Sequence, residues 1–445
     1  MREFLVAALA SVAFCGAAHA QQQDSPLLGP AAFGGWRDDR PGTWRLIRPD
    51  DLPKPFASGS ASNSAELADA PREAKPLLPE GFSARKIASG LRGPRVVRVA
   101  PNGDLFVADS RANRVLVYRL DNDGKIAERG TFAQSLRQPY GIAFYPLDKP
   151  QWLYIANSDS VVRFAYQDGD LEASGKPETV VSGIPSNHHW TRDIAFSADG
   201  GTLYLSVGSG SNVAEGIGKA PDGGVEEWAA KKPLGAAWGS EAGRAEVRAY
   251  DPDGGNGRVV ATGLRNCSGM TVQPATGALW CVVNERDGLG DNVPFEYVTT
   301  VREGGFYGWP WYYIGDHEDP RHEGERPDLA GKATVPDVLI QAHSAPLNIA
   351  FYAGDQFPAE YRGDAFVALH GSWNRGERTG YKVVRLKFED GRPTGAYEDF
   401  MTGFVASDES VWGRPVGVAV ARDGALIVTE DGSGTIWRVS YEGKP

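Results

Sequence analysis

Residues able to do proton and anion chemistry recur at a few fixed places in this chain. His188-His189-Trp190-Thr191-Arg192 puts two imidazoles and a guanidinium just before an apolar run, and the chain has only seven histidines. Arg265-Asn266, Asn284-Glu285-Arg286-Asp287, His370 with Arg375, Gln138 and Arg414 stand at comparable places farther along. Histidine near neutral pH is suited to proton transfer, and arginine to bidentate binding of carboxylates. Together they suit a polar ligand with anionic groups. Any one of them alone is more often a solvated or hydrogen-bonded structural residue. The same position recurring in every repeat is what carries the functional reading.

The elements that must position these residues repeat as a phrase. Arg95-Val-Val-Arg-Val-Ala-Pro-Asn-Gly-Asp-Leu-Phe-Val-Ala-Asp109 reads as strand, Asn-Gly turn and strand, because both turn residues tolerate positive φ. Similar phrases begin at Pro139, Arg192, Asn266, Pro346 and Pro415, so successive spacings are 44, 53, 74, 80 and 69 residues. Repeats of ~40–50 residues with about four strands each indicate propeller blades. The expected fold is all-β: a six-bladed β-propeller of four-stranded blades over residues 79–445. Gly81-Phe-Ser-Ala-Arg-Lys-Ile-Ala88 is expected to complete the last blade and remove its exposed edge. The longer spacings imply insertions, which usually lie on one face and build the site. A length of 445 residues suggests ~two to three domains, but one closed ring can absorb it.

Before the repeats, residues 21–78 are rich in Pro, Ala, Ser and charge without sustained periodicity. They are expected to form an extended arm wrapped on the body, with a disordered part near Ser58–Ala70. Residues 1–20 read as a signal peptide: Arg2, then a mainly apolar stretch, then Ala18-His19-Ala20 before Gln21. The large Phe14 before Cys15 argues against a lipoprotein box. No later run reaches the ~20 apolar residues of a membrane span, so the expectation is a periplasmic or secreted protein.

A formal charge of −11 counts against nucleic acid or an anionic membrane surface as partner. Cys267 and Cys281 either pair in an oxidising compartment or are two buried apolar residues; both readings stand. No Cys-x-x-Cys-His is present, so no c-type haem is attached and an external electron acceptor would be needed. Asp316-His-Glu-Asp319 with His322-Glu323 fits no strong metal-binding spacing and is expected to be a solvated loop.

Several of these phrases, in one order, resemble the PQQ-dependent sugar dehydrogenases of the soluble glucose dehydrogenase-like family. The closest likeness is to their L-sorbosone dehydrogenase branch. The phrases are His189-Trp-Thr-Arg192, Gly263-Leu-Arg-Asn266, Asn284-Glu-Arg-Asp287, Gly304-Gly-Phe-Tyr-Gly-Trp-Pro310, Ala368-Leu-His-Gly-Ser-Trp-Asn-Arg375 and Gly413-Arg-Pro-Val-Gly417. In the arm, Gly34-Gly-Trp-Arg37 and Asp50-Asp-Leu-Pro53 add to the likeness. The resemblance implies a propeller that binds pyrroloquinoline quinone (PQQ) and Ca²⁺ and oxidises an aldose or aldehyde sugar. A histidine takes the substrate hydroxyl proton as hydride moves to the quinone. The base falls on the His188–His189 pair. His189 keeps the His-x-x-Arg phrase, whereas counting back as in the glucose enzymes would select His188. Asn187 stands where those enzymes carry an orienting Asp. Arg265 and Asn266 match the pair that polarises the quinone. Gln138, Arg192, His370, Arg375 and Arg414 are expected to contact the cofactor, with His370 where a lysine is usual. Arg286 and Asp287 would offer main-chain oxygens to Ca²⁺. Two other readings are a Ca²⁺-dependent lactonase, which needs converging acids such as Glu285, Asp287 and Glu430, and a non-catalytic propeller that binds a ligand.

Overall fold

A computed structural model describes residues 25–70 and 74–443. The signal peptide expected over residues 1–20 lies outside them. Six antiparallel blades follow one another in chain order. The first is built from Pro94–Val99, Leu105–Asp109, Arg114–Leu120 and Ile126–Ala133, in that order. The second spans residues 142–181, the third 194–262, the fourth 267–340 and the fifth 346–401. The sixth takes three strands from residues 415–441 and its fourth, Phe82–Ala88, from the opposite end of the repeat region. That strand pairs antiparallel with Thr435–Tyr441, from Tyr441 opposite Phe82 to Ile436 opposite Ala88. Every blade therefore has its full complement of strands and the ring has no open edge.

The second strand of a blade is sandwiched between neighbouring sheets, so it is apolar on both faces and need not alternate. Leu105–Asp109, Leu279–Val283, Ala365–Leu369 and Leu426–Glu430 are buried at every position. Where the first and last blades meet, backbones approach closely. A side chain on Gly417 would put its Cβ 2.4 Å from the Arg95 carbonyl oxygen, which explains glycine in that inner strand. The central channel is closed by polar side chains. Asp193 accepts from Arg98 Nη2 at 2.9 Å and from the Met270 and Ile194 amides, and the Tyr140 hydroxyl donates to the Leu347 carbonyl at 3.0 Å.

The arm is held more tightly than its composition suggests. Leu27–Leu28 and Trp44–Leu46 extend the fifth blade's sheet, and Glu66–Leu67 pairs in parallel with Ser410–Val411. The Asp291 amide donates to Ser58 Oγ, and Asn63 is tied to the Trp373 carbonyl and to Arg378. This corrects the expectation of disorder near Ser58–Ala70: backbone hydrogen bonds to the propeller supply the order that local composition does not. The buried ions Arg45, Lys382, Asp39 and Asp399 pin the arm to the outer strands of the fifth blade. Cys267 and Cys281 are fully buried and bonded to each other, with Cα atoms 5.8 Å apart. Of the two sequence readings, the structure has the paired one. Among the described residues, no helix is long and apolar enough to cross a membrane.

Candidate active site

The double histidine lies in the loop 185–193 that leads into the third blade. His188 takes a left-handed backbone, φ 62°, and is exposed; His189 is half-buried, with the two rings edge to face at 4.4 Å. The ring of His189 is held by a serine. Its Nδ1 lies 2.8 Å from Ser209 Oγ and 3.2 Å from the Ser209 carbonyl. The Ser209 hydroxyl spends its own proton on the Ser211 carbonyl at 2.7 Å, so both Ser209 oxygens face the ring as acceptors. The network therefore assigns the proton to Nδ1 and leaves the lone pair on Nε2. Burial, then the positive charge of Arg265, holds His189 well below the ordinary imidazole range. The ring is neutral at neutral pH, the state a general base needs.

Two residues of the third-blade insertion, Arg244 and Glu241, fix this loop. Arg244 donates to the carbonyls of Asn187, Gly208 and Ser209 and to Asn187 Oδ1, at 2.6–2.8 Å. Glu241 accepts from the Gly210 amide at 2.9 Å and Ser211 Oγ at 2.6 Å. Asn187 is thus turned to Arg244 and not to the imidazole. Sequence reading missed all three of Arg244, Glu241 and Ser209. Arg244 does stand at a strand entrance, just before Glu246–Tyr250, but that is the third strand of its blade, outside the paired strands that the repeated phrase marks.

Arg265 is buried with its N–H groups on the carbonyls of Asn212, Asn284 and Glu285 and on Asn212 Oδ1, at 2.7–3.0 Å, and it packs against the Trp309 ring at 5.3 Å. Asn266 donates to Asn284 Oδ1 at 3.1 Å. Gly208 leaves room for both Asn266 and His189: a Cβ there would stand 2.4 Å from Asn266 Oδ1 and 2.8 Å from His189 Cβ. Gly208→Ala is expected to displace the imidazole and lower kcat by about 10²-fold, the scale of an ångström's misplacement. Steady-state kinetics alongside an unchanged far-ultraviolet circular dichroism spectrum checks this.

Asp431 gathers two guanidiniums and an imidazole. His370 Nε2 donates to its Oδ1 at 2.9 Å, Arg414 Nε to the same oxygen at 3.0 Å, and Arg95 Nη1 to Oδ2 at 2.8 Å. Burial alone would raise this carboxyl, but His370, Arg95 and Arg414 hold it far below the usual range. Arg95 also lies over the rings of Tyr140 and Trp190, 5.5 and 5.6 Å from their centroids. It thereby links this cluster to the residue beside His189. Two guanidiniums and an imidazole around one carboxylate leave positive charge for an anionic ligand. Neither Asp431 nor Arg95 was singled out in the sequence.

Other expected site residues are placed differently. Arg192 is fully buried and spends its guanidinium on the carbonyls of Pro185, His189 and Thr191. Arg375 is buried under the arm, donating to the Phe33 carbonyl. Both are buried and hold loop carbonyls. Gln138 is exposed at φ 46°, its amide donating to Asn113 Oδ1 at 2.9 Å. Arg286 makes a buried two-oxygen pair with Asp319, at 2.6 and 2.7 Å. That corrects the solvated-loop reading of residues 316–323: the insertion folds back on the propeller and buries Asp319 and His322, leaving Asp316 and His317 exposed.

The carbonyls of Glu285 and Asp287 accept from Arg265 and from Arg286 Nε, which leaves each a second lone pair. Asp287 Oδ1 faces His343 Nδ1 at 3.1 Å. Among the described residues no group of three or more His, Cys, Asp or Glu side chains converges as a metal site. Glu430 spends its carboxylate on the amides of Gly432, Ser433 and Thr435. A cation at the 285–287 loop would therefore take most of its ligands from elsewhere.

A family model described as TrAA12-like matches residues 76–300 and 321–442. A pyrroloquinoline quinone-dependent pyranose dehydrogenase of Coprinopsis cinerea is 25% identical over 82% of this chain, which spans only 54% of that protein's length. A pyrroloquinoline quinone-dependent sugar dehydrogenase of Hypocrea jecorina is 23% identical over 67% of this chain and 73% of that protein. Among solved structures, the holo PQQ domain of the Coprinopsis cinerea pyranose dehydrogenase superposes with a TM-score of 0.68 at 24% identity, covering 85% of this chain and all of that one. The PQQ-bound aldose sugar dehydrogenase of Streptomyces coelicolor gives a TM-score of 0.57 at 19% identity, over 82% of this chain and 99% of that one. These superpositions carry the fold.

Proposed function

The chain belongs to the TrAA12-like family, and from that premise we propose that it is an exported, PQQ- and Ca²⁺-dependent dehydrogenase of aldoses or aldehyde sugars. Sorbosone-like compounds fall within that class. The observation that carries the reading is His189, a neutral imidazole held at Nδ1 by Ser209 with its Nε2 lone pair free, and linked through Trp190 and Arg95 to a cationic cluster.

The chemistry of this chain's residues follows from that placement. Nε2 of His189 takes the proton of the sugar hydroxyl at the carbon being oxidised, while Nδ1–H stays on Ser209. PQQ, when bound, supplies the electron-pair acceptor that the polypeptide lacks. Arg95, Arg414 and His370 would hold its carboxylates through charge-assisted hydrogen bonds. Asn266 would stabilise negative charge arriving at its carbonyl oxygens, with the charge of Arg265 behind it, whose N–H groups are mostly held by loop carbonyls. Ca²⁺ would sit against the main-chain oxygens of residues 285–287, as an ion that accepts oxygen ligands of mixed origin. An external acceptor would be needed to take the electrons from the cofactor. A lactonase would instead need side-chain carboxylates around the metal, and Glu430 is committed to its own turn.

The experiment is a titration of purified protein with PQQ, with and without Ca²⁺, followed by the quinone absorbance and then by dye reduction with a panel of sugars. A saturable spectral change and reduction dependent on both additions are expected. Absence of both, or lactone hydrolysis without the quinone, would overturn the reading.

A further inference from the structure

Among the described residues only two Phe, Tyr or Trp side chains are exposed, Phe56 at 64% and Trp373 at 45%. They come from distant parts of the chain, yet one set of hydrogen bonds holds both. The Phe56 amide donates to the Leu289 carbonyl at 2.6 Å, and the Asn63 amide to the Trp373 carbonyl at 2.7 Å. Asn374 donates to the Ala61 carbonyl and accepts the Gly288 amide at 2.9 Å. Asp291 takes the Gly376 amide at 3.0 Å and gives its own amide to Ser58 Oγ at 2.8 Å. Arm residues 56–63 and the loops 287–291 and 371–378 are thus knit into one rim.

That rim adjoins the candidate site. The loop 287–291 continues directly from the Asn284–Asp287 stretch. Trp373 is three residues beyond His370, so the two α-carbons are within about 11 Å of each other. Ser372, Asn374 and Arg375 on either side of Trp373 are buried, so the main chain is fixed and Trp373 is the residue left outside. Neither exposed ring has a stacking or cation–π partner among the described residues. A rigidly mounted, unpartnered indole three residues from His370 offers what a pyranose needs: a flat apolar surface for its C–H face, with polar groups nearby for its hydroxyls.

We propose that Trp373, with Phe56 contributed by the arm, forms an outer sugar subsite that stacks on a second pyranose ring. The preferred substrates are then reducing disaccharides or longer oligosaccharides, whose terminal unit is oxidised at His189. This rests on the dehydrogenase reading above. Because the two rings are exposed, whereas His189 is half-buried and Asn266 and Asp431 are buried, the platform serves the unit beyond the one that reacts.

The test compares kcat/KM for glucose and for the reducing disaccharides maltose, cellobiose and lactose in the PQQ- and Ca²⁺-loaded protein. Trp373→Ala is expected to cut the best disaccharide about tenfold, mainly through KM, the scale of one aromatic stacking contact. Glucose should change less than twofold and Trp373→Phe should keep the preference. A second readout uses the protein without added quinone: the best disaccharide should quench tryptophan fluorescence in wild type and not in Trp373→Phe. Equal losses for both sugar sizes, or no loss for either, would overturn the subsite. Wild-type protein that reduces no dye with any sugar would fail the dehydrogenase reading itself. Fluorescence quenching without turnover would keep the subsite as a glycan-binding rim.

Discussion

His189→Ala is expected to lower kcat by about 10²–10⁴, the usual contribution of a positioned general base, whereas His188→Ala should keep activity within a few-fold of wild type. The two rings touch, at 4.4 Å between centroids, but only His189 has its tautomer set from behind by Ser209. His188 is exposed, and its ring has no such acceptor among the described residues. Burial of His189 disfavours its charged form, so its folded pKa lies below the ordinary value of about 6.5. The active, neutral form therefore persists as pH falls through 6.5, and the acid limb of the kcat/KM profile should lie below that value. Stability moves the same way: the unfolded chain binds this proton first, so the histidine destabilises the fold as pH drops below about 6.5. Full turnover in His189→Ala, or its loss in His188→Ala alone, would reassign the base. Both variants should still titrate with PQQ, which separates the proton step from cofactor binding.

Asp431→Ala is expected to cost about 3–5 kcal/mol of unfolding free energy, the range for removing one partner from a buried ion pair. The variant strands Arg95, Arg414 and His370, all largely enclosed, without their shared counter-charge. The sign of the pH effect follows from the depressed carboxyl. Its contribution is complete above the unfolded pKa of about 3.9 and is lost as pH falls below it toward the folded value. The wild-type-minus-variant difference in urea unfolding should thus be flat between pH 7 and pH 5 and shrink below about pH 4. A difference under about 1 kcal/mol at pH 7 would show that solvent, and not Asp431, balances these cations.

The sequence by itself determined the propeller, its six repeats and the strand that closes the ring, because strand periodicity and Asn-Gly turn chemistry are local properties. It also placed candidate residues at strand ends, since a closed ring gathers equivalent positions of every repeat. What it could not contain is which side chains are already spoken for. Arg192 and Arg375 have the right type at the right junction, but loop carbonyls take their guanidiniums. The arm seemed loose because its order comes from hydrogen bonds to distant loops and not from its own pattern. Asp431 is an ordinary acidic residue after a strand until ring closure sets it beside Arg95, 336 positions away. The His189 ring is held by Ser209 and its loop by Arg244, residues between the second and third strands of their blade that carry no periodic signal. Tertiary structure alone decided these points, because a proton's position and a charge's partner depend on neighbours in space, and here those neighbours are distant in sequence.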